Sequence, residues 1–392
     1  MSALRPEGLL VIGKDVQRTD AIPKVTGAAQ YVADIQMPGM LHGAVLRSPH
    51  PNARVVSIDT SAAHAMPGVK AVLTGEDTAH KKWGAFRPDL YPLAIGRVRY
   101  VGDEVAAVAA ISAEIASAAV DKIAVKYEVL PAVLSIDEAM APYAPLVHDD
   151  APGNIAHEFN FTRGDVDGGF KASDVVVEGT WQTHRQWHTS LETIGCVAQF
   201  VSGRYHLWCN TQTPYLARGR YAVALGVPES QIRVVQTEVG GGFGSKLNVY
   251  AEEGVLGFIA MKLAKPVKWI ETRREAFTCT IHGRGHVDYY EVAAKKDGTI
   301  LGIKVKIIQD LGAFHQLLGP AIPTLSVLMM PGLYRTKNIR AEIVGAFTNC
   351  VATDAYRGAG RPEATHGIER MVDILADELK MDPAEIRLKN FI

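Results

Sequence analysis

A chain of 392 residues is long for one domain and leaves room for two or three. Hydrophobic residues make up 47% and charged residues 21%, the balance of a globular chain that buries a large core. The 41 Lys and Arg against 42 Asp and Glu leave a net charge of -1, so nothing in the charge points to a nucleic-acid or polyanion partner. The opening segment, Met1 to Glu7, has no apolar signal region, and no apolar run approaches membrane-spanning length. Cys196, Cys209, Cys279 and Cys350 are widely spread with no C-x-x-C pair. Zinc and iron–sulfur ligation on this chain are therefore not expected, and reduced thiols in the cytoplasm are.

In chain order, residues 1–18 read as an arm that packs on something else. Residues 19–138 mix short strands and helices as a small α/β domain. Strands are predicted at 55–59, 69–73, 105–110 and 123–129, and an alanine-rich helix at 113–120. Pro142, Pro145, Pro152 and Gly153 mark a linker, taken as 139–163. Residues 164–392 form a larger domain, with strands predicted at 175–177, 196–200, 205–208 and 301–308. Ile368, Met371, Val372, Leu375 and Leu379 mark one face of a last helix, with Pro362 and Glu363 in its first turn.

The most informative segment is Gly240-Gly241-Gly242-Phe243-Gly244-Ser245-Lys246. An apolar run at 232–239 leads in and a helical run at 251–265 leads out, so the pattern is strand, glycine loop, helix. Glycines let main-chain N–H groups approach a ligand closely, and a helix N-terminus adds partial positive charge. The Gly-Lys pair of a phosphate-binding P-loop is absent, and G-x-G-x-x-G fails at Ser245. A plain glycine hairpin is the competing reading. A second loop, Ala355-Tyr356-Arg357-Gly358-Ala359-Gly360-Arg361-Pro362, again sets glycines and arginines before a helix. Two such cradles favour a large anionic ligand. His184 and His188 lie four apart, but Arg185 occupies the place of the zinc-site Glu, so both are read as structural residues, or as supports behind a ligand-contacting residue, on a strand. Glu192 is read as a lone surface or capping residue, and no general base presents itself.

These residues resemble the molybdenum-binding large subunit of the xanthine oxidase family of molybdenum hydroxylases. Asp20 to Tyr31 and Leu41 to His50 are similar to the start of its hammerhead domain. Gly240 to Lys246 is similar to its cofactor loop, and Tyr356-Arg357-Gly358 to its arginine loop. The resemblance implies an α+β fold: an N-terminal α/β hammerhead domain, then the first molybdopterin-binding domain of aldehyde oxidase and xanthine dehydrogenase type. It implies cofactor contacts at Gln186, Gly241, Gly242, Phe243, Gly244, Arg357 and Gly358. Of these, Gln186, Phe243 and Arg357 would touch the ligand sphere of molybdenum, Gln186 through the apical oxo group.

Three positions bear on substrate. A glutamate, an arginine and a phenylalanine of the purine oxidases correspond to Leu247, Leu325 and Ala359 here. Charge and ring for a purine are absent, so aldehydes and N-heterocycles are the expected substrates and xanthine is not. Gly358 replaces the copper-binding cysteine of carbon monoxide dehydrogenases. The chain stops at the family's junction between two half-regions, which reads as a split gene with a truncated chain as the alternative. The catalytic base is then expected on a second molybdopterin-domain chain. The resemblance further implies molybdopterin as its cytosine dinucleotide, a [2Fe-2S] small subunit, an FAD-binding medium subunit and a dimer of heteromers. Competing readings are a non-catalytic cofactor-binding or scaffold subunit, or a purine or carbon monoxide dehydrogenase.

Overall fold

The computed structural model describes residues 10–78 and 82–392. Residues 1–9, half of the expected arm, lie outside the described residues. The chain opens with α1 (Ala21–Thr26), β1 (Leu41–Arg47), β2 (Ala53–Asp59), α2 (Ser61–His64) and β3 (Val69–Thr74). It continues through β4 (Arg97–Val98), β5 (Glu104–Ala110), α3 (Ala113–Val120), β6 (Ala124–Val129) and α4 (Ile136–Met140). Then come β7 (Ile155–Arg163), α5 (Val166–Lys171), β8 (Val175–Thr183), β9 (Gly195–Val201), β10 (Arg204–Cys209) and α6 (Pro214–Leu225). The central part holds β11 (Ile232–Gln236), α7 (Ala251–Leu263), β12 (Val267–Ile270), α8 (Arg273–Thr278) and β13 (His286–Ala294). The last elements are β14 (Ile300–Gly312), α9 (Ala321–Met329), β15 (Asn338–Phe347), α10 (Arg361–Leu379) and α11 (Pro383–Asn390). The fold is α+β. No helix among the described residues is long and apolar enough to cross a membrane.

Three sheets carry the architecture. The largest runs β11-β10-β9-β12-β1-β5-β3. Its seam is β1 against β12, parallel, with Leu41 opposite Val267, so strands from both sides of residues 139–163 share one sheet. The unbroken apolar run of β5, Val105 to Ala110, has its cause here. Ala106 and Val108 enter one core with α2 and α3, while Ala107 and Ala109 enter another with Leu256 of α7. A strand covered on both faces has no need of polar alternation. Ser112 starts α3 by accepting the N–H of Ile115 at 3.3 Å.

A five-stranded sheet, β7-β15-β14-β13-β8, forms the second layer. Here β13 and β15 do alternate, because α10 covers one face only. Ile368, Met371, Val372 and Leu375 of α10 are fully buried against Tyr290, Val292 and Ile303. Each such side chain contributes roughly 1.5–3 kcal/mol of burial. Two expectations shift. Residues 155–163, read as linker, form the edge strand β7, paired from Ile339↔Arg163 to Ala346↔Ile155. The run expected to stay extended to 239 leaves the sheet after Gln236: Thr237 N–H still meets Cys209 O at 3.2 Å, where the partner strand β10 ends, and Glu238 N–H then goes to Gln30 O at 3.1 Å.

Candidate cofactor site

The glycine loop follows β11, but no helix follows it directly. A 3-10 turn at Ser245–Leu247 intervenes, closed by Ser245 N–H on Gly242 O at 3.0 Å and Leu247 N–H on Gly244 O at 3.1 Å. Asn248 to Tyr250 run on before α7 begins, and Glu253 caps the Tyr250 N–H at 2.9 Å. The expected helix dipole at this loop is therefore spent elsewhere. The loop's own backbone makes the concavity: Gly241, Phe243 and Gly244 are left-handed at φ 98°, 52° and 116°. The second loop does lead straight into α10 through Gly360.

The two loops touch. Arg357 N–H donates to Phe243 O at 2.8 Å, and the Arg357 guanidinium lies over the Phe243 ring at 5.5 Å. His188, buried, bonds Ala355 O through Nε2 at 2.7 Å and packs edge-on against Tyr356. Burial pulls the pKa of His188 down to about 4, so it is a neutral spacer at ordinary pH. Gln186 is exposed and lies outside any strand; among the described residues its only sheet-like link is one bridge to Gly283. The structure thus brings Gln186, Gly241 to Gly244, Arg357 and Gly358 into one neighbourhood. Leu247 lies in the 3-10 turn, with its carbonyl bound by Thr213 Oγ1 at 3.2 Å. Leu325 lies on α9, whose Ser326 donates to Gly360 O at 2.8 Å, one residue from Ala359.

Glu192 is no lone residue. Its Oε2 accepts from Gly240 N–H at 2.7 Å and from Lys246 Nζ at 2.8 Å, so one carboxylate grips both ends of the glycine loop. The Lys246 side chain is 1% exposed, and burial lowers its pKa. Gln212, not singled out from sequence, accepts the Gly244 N–H through Oε1 at 3.0 Å. Asp354 accepts from Asn248 Nδ2 at 3.0 Å and from Leu318 N–H, tying the α9 approach to the base of the second loop.

After these bonds, the N–H groups of Gly241, Gly242, Phe243 and Gly358 have no acceptor among the described residues. Gly242 is buried, and an unpaired buried amide is costly unless a ligand meets it. Among the described residues no group of three His, Cys, Asp or Glu could hold a metal ion. The donor set is four amides, the Gln186 carboxamide and the Arg357 guanidinium. That set fits a bulky oxyanionic group such as the oxo-metal end of a pterin cofactor.

Comparison with known proteins assigns the class. Residues 147–391 match the molybdopterin cofactor-binding domain, and residues 26–131 the aldehyde oxidase and xanthine dehydrogenase a/b hammerhead domain. The chain belongs to the xanthine oxidase family of molybdenum hydroxylases, as a molybdopterin-binding large-subunit chain. It is similar to a probable xanthine dehydrogenase subunit of Bacillus subtilis, at 41% identity over 95% of this chain and 50% of that protein. It is also similar to the nicotinate dehydrogenase large molybdopterin subunit of Eubacterium barkeri, at 34% identity over 97% of this chain and 89% of that subunit. Quinoline 2-oxidoreductase from Pseudomonas putida superposes with a TM-score of 0.89 at 33% identity, over 97% of this chain and 50% of that one. The chain therefore spans about half the length of several relatives that it matches.

Proposed function

We propose that this chain holds the molybdopterin cofactor of a multi-subunit hydroxylase that oxidises an aldehyde or an N-heterocyclic carbon with water. The observation that carries the reading is the set of unpaired amides on two touching loops, with Arg357 beside them. The cofactor, when bound, supplies the Lewis acid and the electron-pair acceptor. The chain's own residues bind and orient it. The amides of Gly241, Gly242, Phe243 and Gly358 would take its oxygens, Gln186 would donate to an oxo ligand, and Arg357 would counter its charge. Such outer contacts orient and polarise the metal.

The general base is assigned to a partner chain. The carboxylates nearest these loops are committed: Glu192 to Lys246, Glu363 to Arg284, Asp354 to Asn248 and Leu318. That relatives are named as subunits supports a complex. We assign to it a second molybdopterin-domain chain, a [2Fe-2S] subunit and an FAD subunit, assembled as a dimer of heteromers in the cytoplasm. The cytosine dinucleotide is the proposed cofactor form. For substrate, Leu247, Leu325 and Ala359 put neither charge nor ring at the positions the resemblance gives to purine recognition, and relatives named for nicotinate and quinoline support N-heterocycles.

The test is metal analysis and turnover on the complex captured through this chain, with benzaldehyde, nicotinate and xanthine at equal concentration and a dye acceptor. Molybdenum near one per chain and preference for the first two are expected. Absence of molybdenum refutes the cofactor reading, and xanthine as best substrate refutes the pocket reading.

A further inference from the structure

Gln186 and the second loop belong to separate stretches of chain, and a single residue between glycines joins them. Gly283 exchanges both main-chain hydrogen bonds with Gln186: Gln186 N–H to Gly283 O at 3.0 Å, and Gly283 N–H to Gln186 O at 2.8 Å. A side chain at 283 would collide with Tyr356 Cβ, so the two segments lie in direct contact. Arg284 follows in a left-handed conformation, φ 62°. That backbone is strained for a residue with a side chain.

From there the Arg284 guanidinium reaches the second loop. Its Nη2 donates to Arg357 O at 3.1 Å and its Nη1 to Tyr356 O at 3.4 Å, and its Cζ lies 4.6 Å from the Tyr356 ring centroid. Glu363, fully buried in the first turn of α10, receives Nη1 on both carboxylate oxygens at 3.0 and 3.1 Å. Arg357 N–H then continues to Phe243 O. Three proposed cofactor contacts, Gln186, Phe243 and Arg357, are thus linked by hydrogen bonds on either side of the Gly283–Arg284 peptide.

We infer that Arg284, fixed by Glu363, is the positioning residue that sets the arginine loop in register with Gln186 and the glycine loop. The inference rests on the cofactor reading proposed above. A buried ion pair stabilises a fold poorly, because its desolvation cost roughly cancels its attraction. An apolar pair of similar volume would hold α10 as well. What the arginine adds is geometry: a planar fork that meets a carboxylate and two carbonyls at once. A lysine ammonium, a single point of charge, cannot do the same.

Arg284→Lys keeps the charge beside Glu363 and removes the fork. Glu363→Gln keeps an acceptor and removes the charge. In the complex purified through a tag on this chain, three quantities are measured for each variant: molybdenum per chain after gel filtration, the Mo(V) electron paramagnetic resonance signal of dithionite-reduced protein, and the thermal unfolding midpoint. Loss of an orienting outer contact weakens metal-site affinity on the order of 10- to 100-fold. Molybdenum should fall accordingly in both variants, and the residual signal should change shape, while Arg284→Lys unfolds near the wild-type midpoint. Full molybdenum with an unchanged signal in Arg284→Lys overturns the positioning role alone. So does molybdenum loss that merely tracks a collapsed midpoint in both variants. A wild-type complex without molybdenum overturns the cofactor reading and this inference together.

Discussion

Gly244 and Gly241 offer a controlled comparison, because both are left-handed and only Gly244 is pressed by backbone. A Cβ on Gly241 would meet Phe243 Cε2 at 3.0 Å, the tip of a half-exposed ring that can swing aside. A Cβ on Gly244 would fall deep inside contact distance of the Ala355 carbonyl oxygen, which would have to retreat beyond 3.0 Å. That oxygen is backbone, and His188 Nε2 holds it at 2.7 Å. The clash therefore drives the two loops apart and disturbs His188 with them. Alanine at either position bears the left-handed cost of about 1–2 kcal/mol. Gly244→Ala adds overpacking of about 1–3 kcal/mol, for a total near 2–5 kcal/mol. Melting temperature and molybdenum per chain are the readouts. Gly241→Ala should melt slightly low and keep most of its metal; Gly244→Ala should melt lower and lose most of it. Equal metal content in the two variants would refute the claim that the Gly244–Ala355 contact sets the site.

The Glu192–Lys246 pair should behave as a unit. Glu192→Gln or Lys246→Met alone should cost about 3–5 kcal/mol by leaving one buried group uncompensated, while the double variant should lose much less than the sum; additive losses in melting temperature would refute the coupling. A pH effect is expected at Asp288, whose pKa burial in β13 raises from 3.8 to about 8. The folded chain then holds a proton that the unfolded chain releases, so this group's contribution is fully present below about pH 4 and is lost as pH rises to about 8. Asp288→Asn should melt with a shallower decline between pH 5 and 8. An unchanged decline would refute the assignment; part of it persists in any case through Glu253, also raised to about 8.

Local pattern carried the elements it could carry. The α3 boundaries follow from Ser112 and the alanine run, and the α10 face from its 3.6-residue period, because those signals lie within a few residues of one another. Both cradles were legible for the same reason. What holds the cradles was not. Glu192 meets Gly240 across 48 residues, Gln212 meets Gly244 across 32, and Arg284 meets Glu363 across 79. No window on the sequence contains both partners, so Glu192 and Arg284 look like ordinary charged residues until the sheets bring them in. The strand at 155–163 was hidden differently: its pairing with β15 depends on a partner nearly two hundred residues away, while Pro142, Pro145 and Pro152 just upstream read as linker.

The charges around the site follow one division. The anionic side chains around the loops are each committed where they stand: Glu192 is ion-paired with Lys246 and Glu363 with Arg284, while Asp354, whose pKa burial raises, accepts from Asn248 and main-chain N–H groups. Beside them, the chain presents neutral amides, one carboxamide and the Arg357 guanidinium, which makes no ion pair with any described residue. A loop backed by unpaired carboxylates would repel an anionic ligand whatever its amides offered. With the carboxylates committed, the local field is that of the amide dipoles plus one cation, and its sign is positive. That field is weak while the face is open to water and strengthens as cover lowers the effective dielectric. The chain therefore supplies a preorganised anion-receiving face, whose electrostatic strength would grow under any cover that excluded water from Phe243 and Arg357.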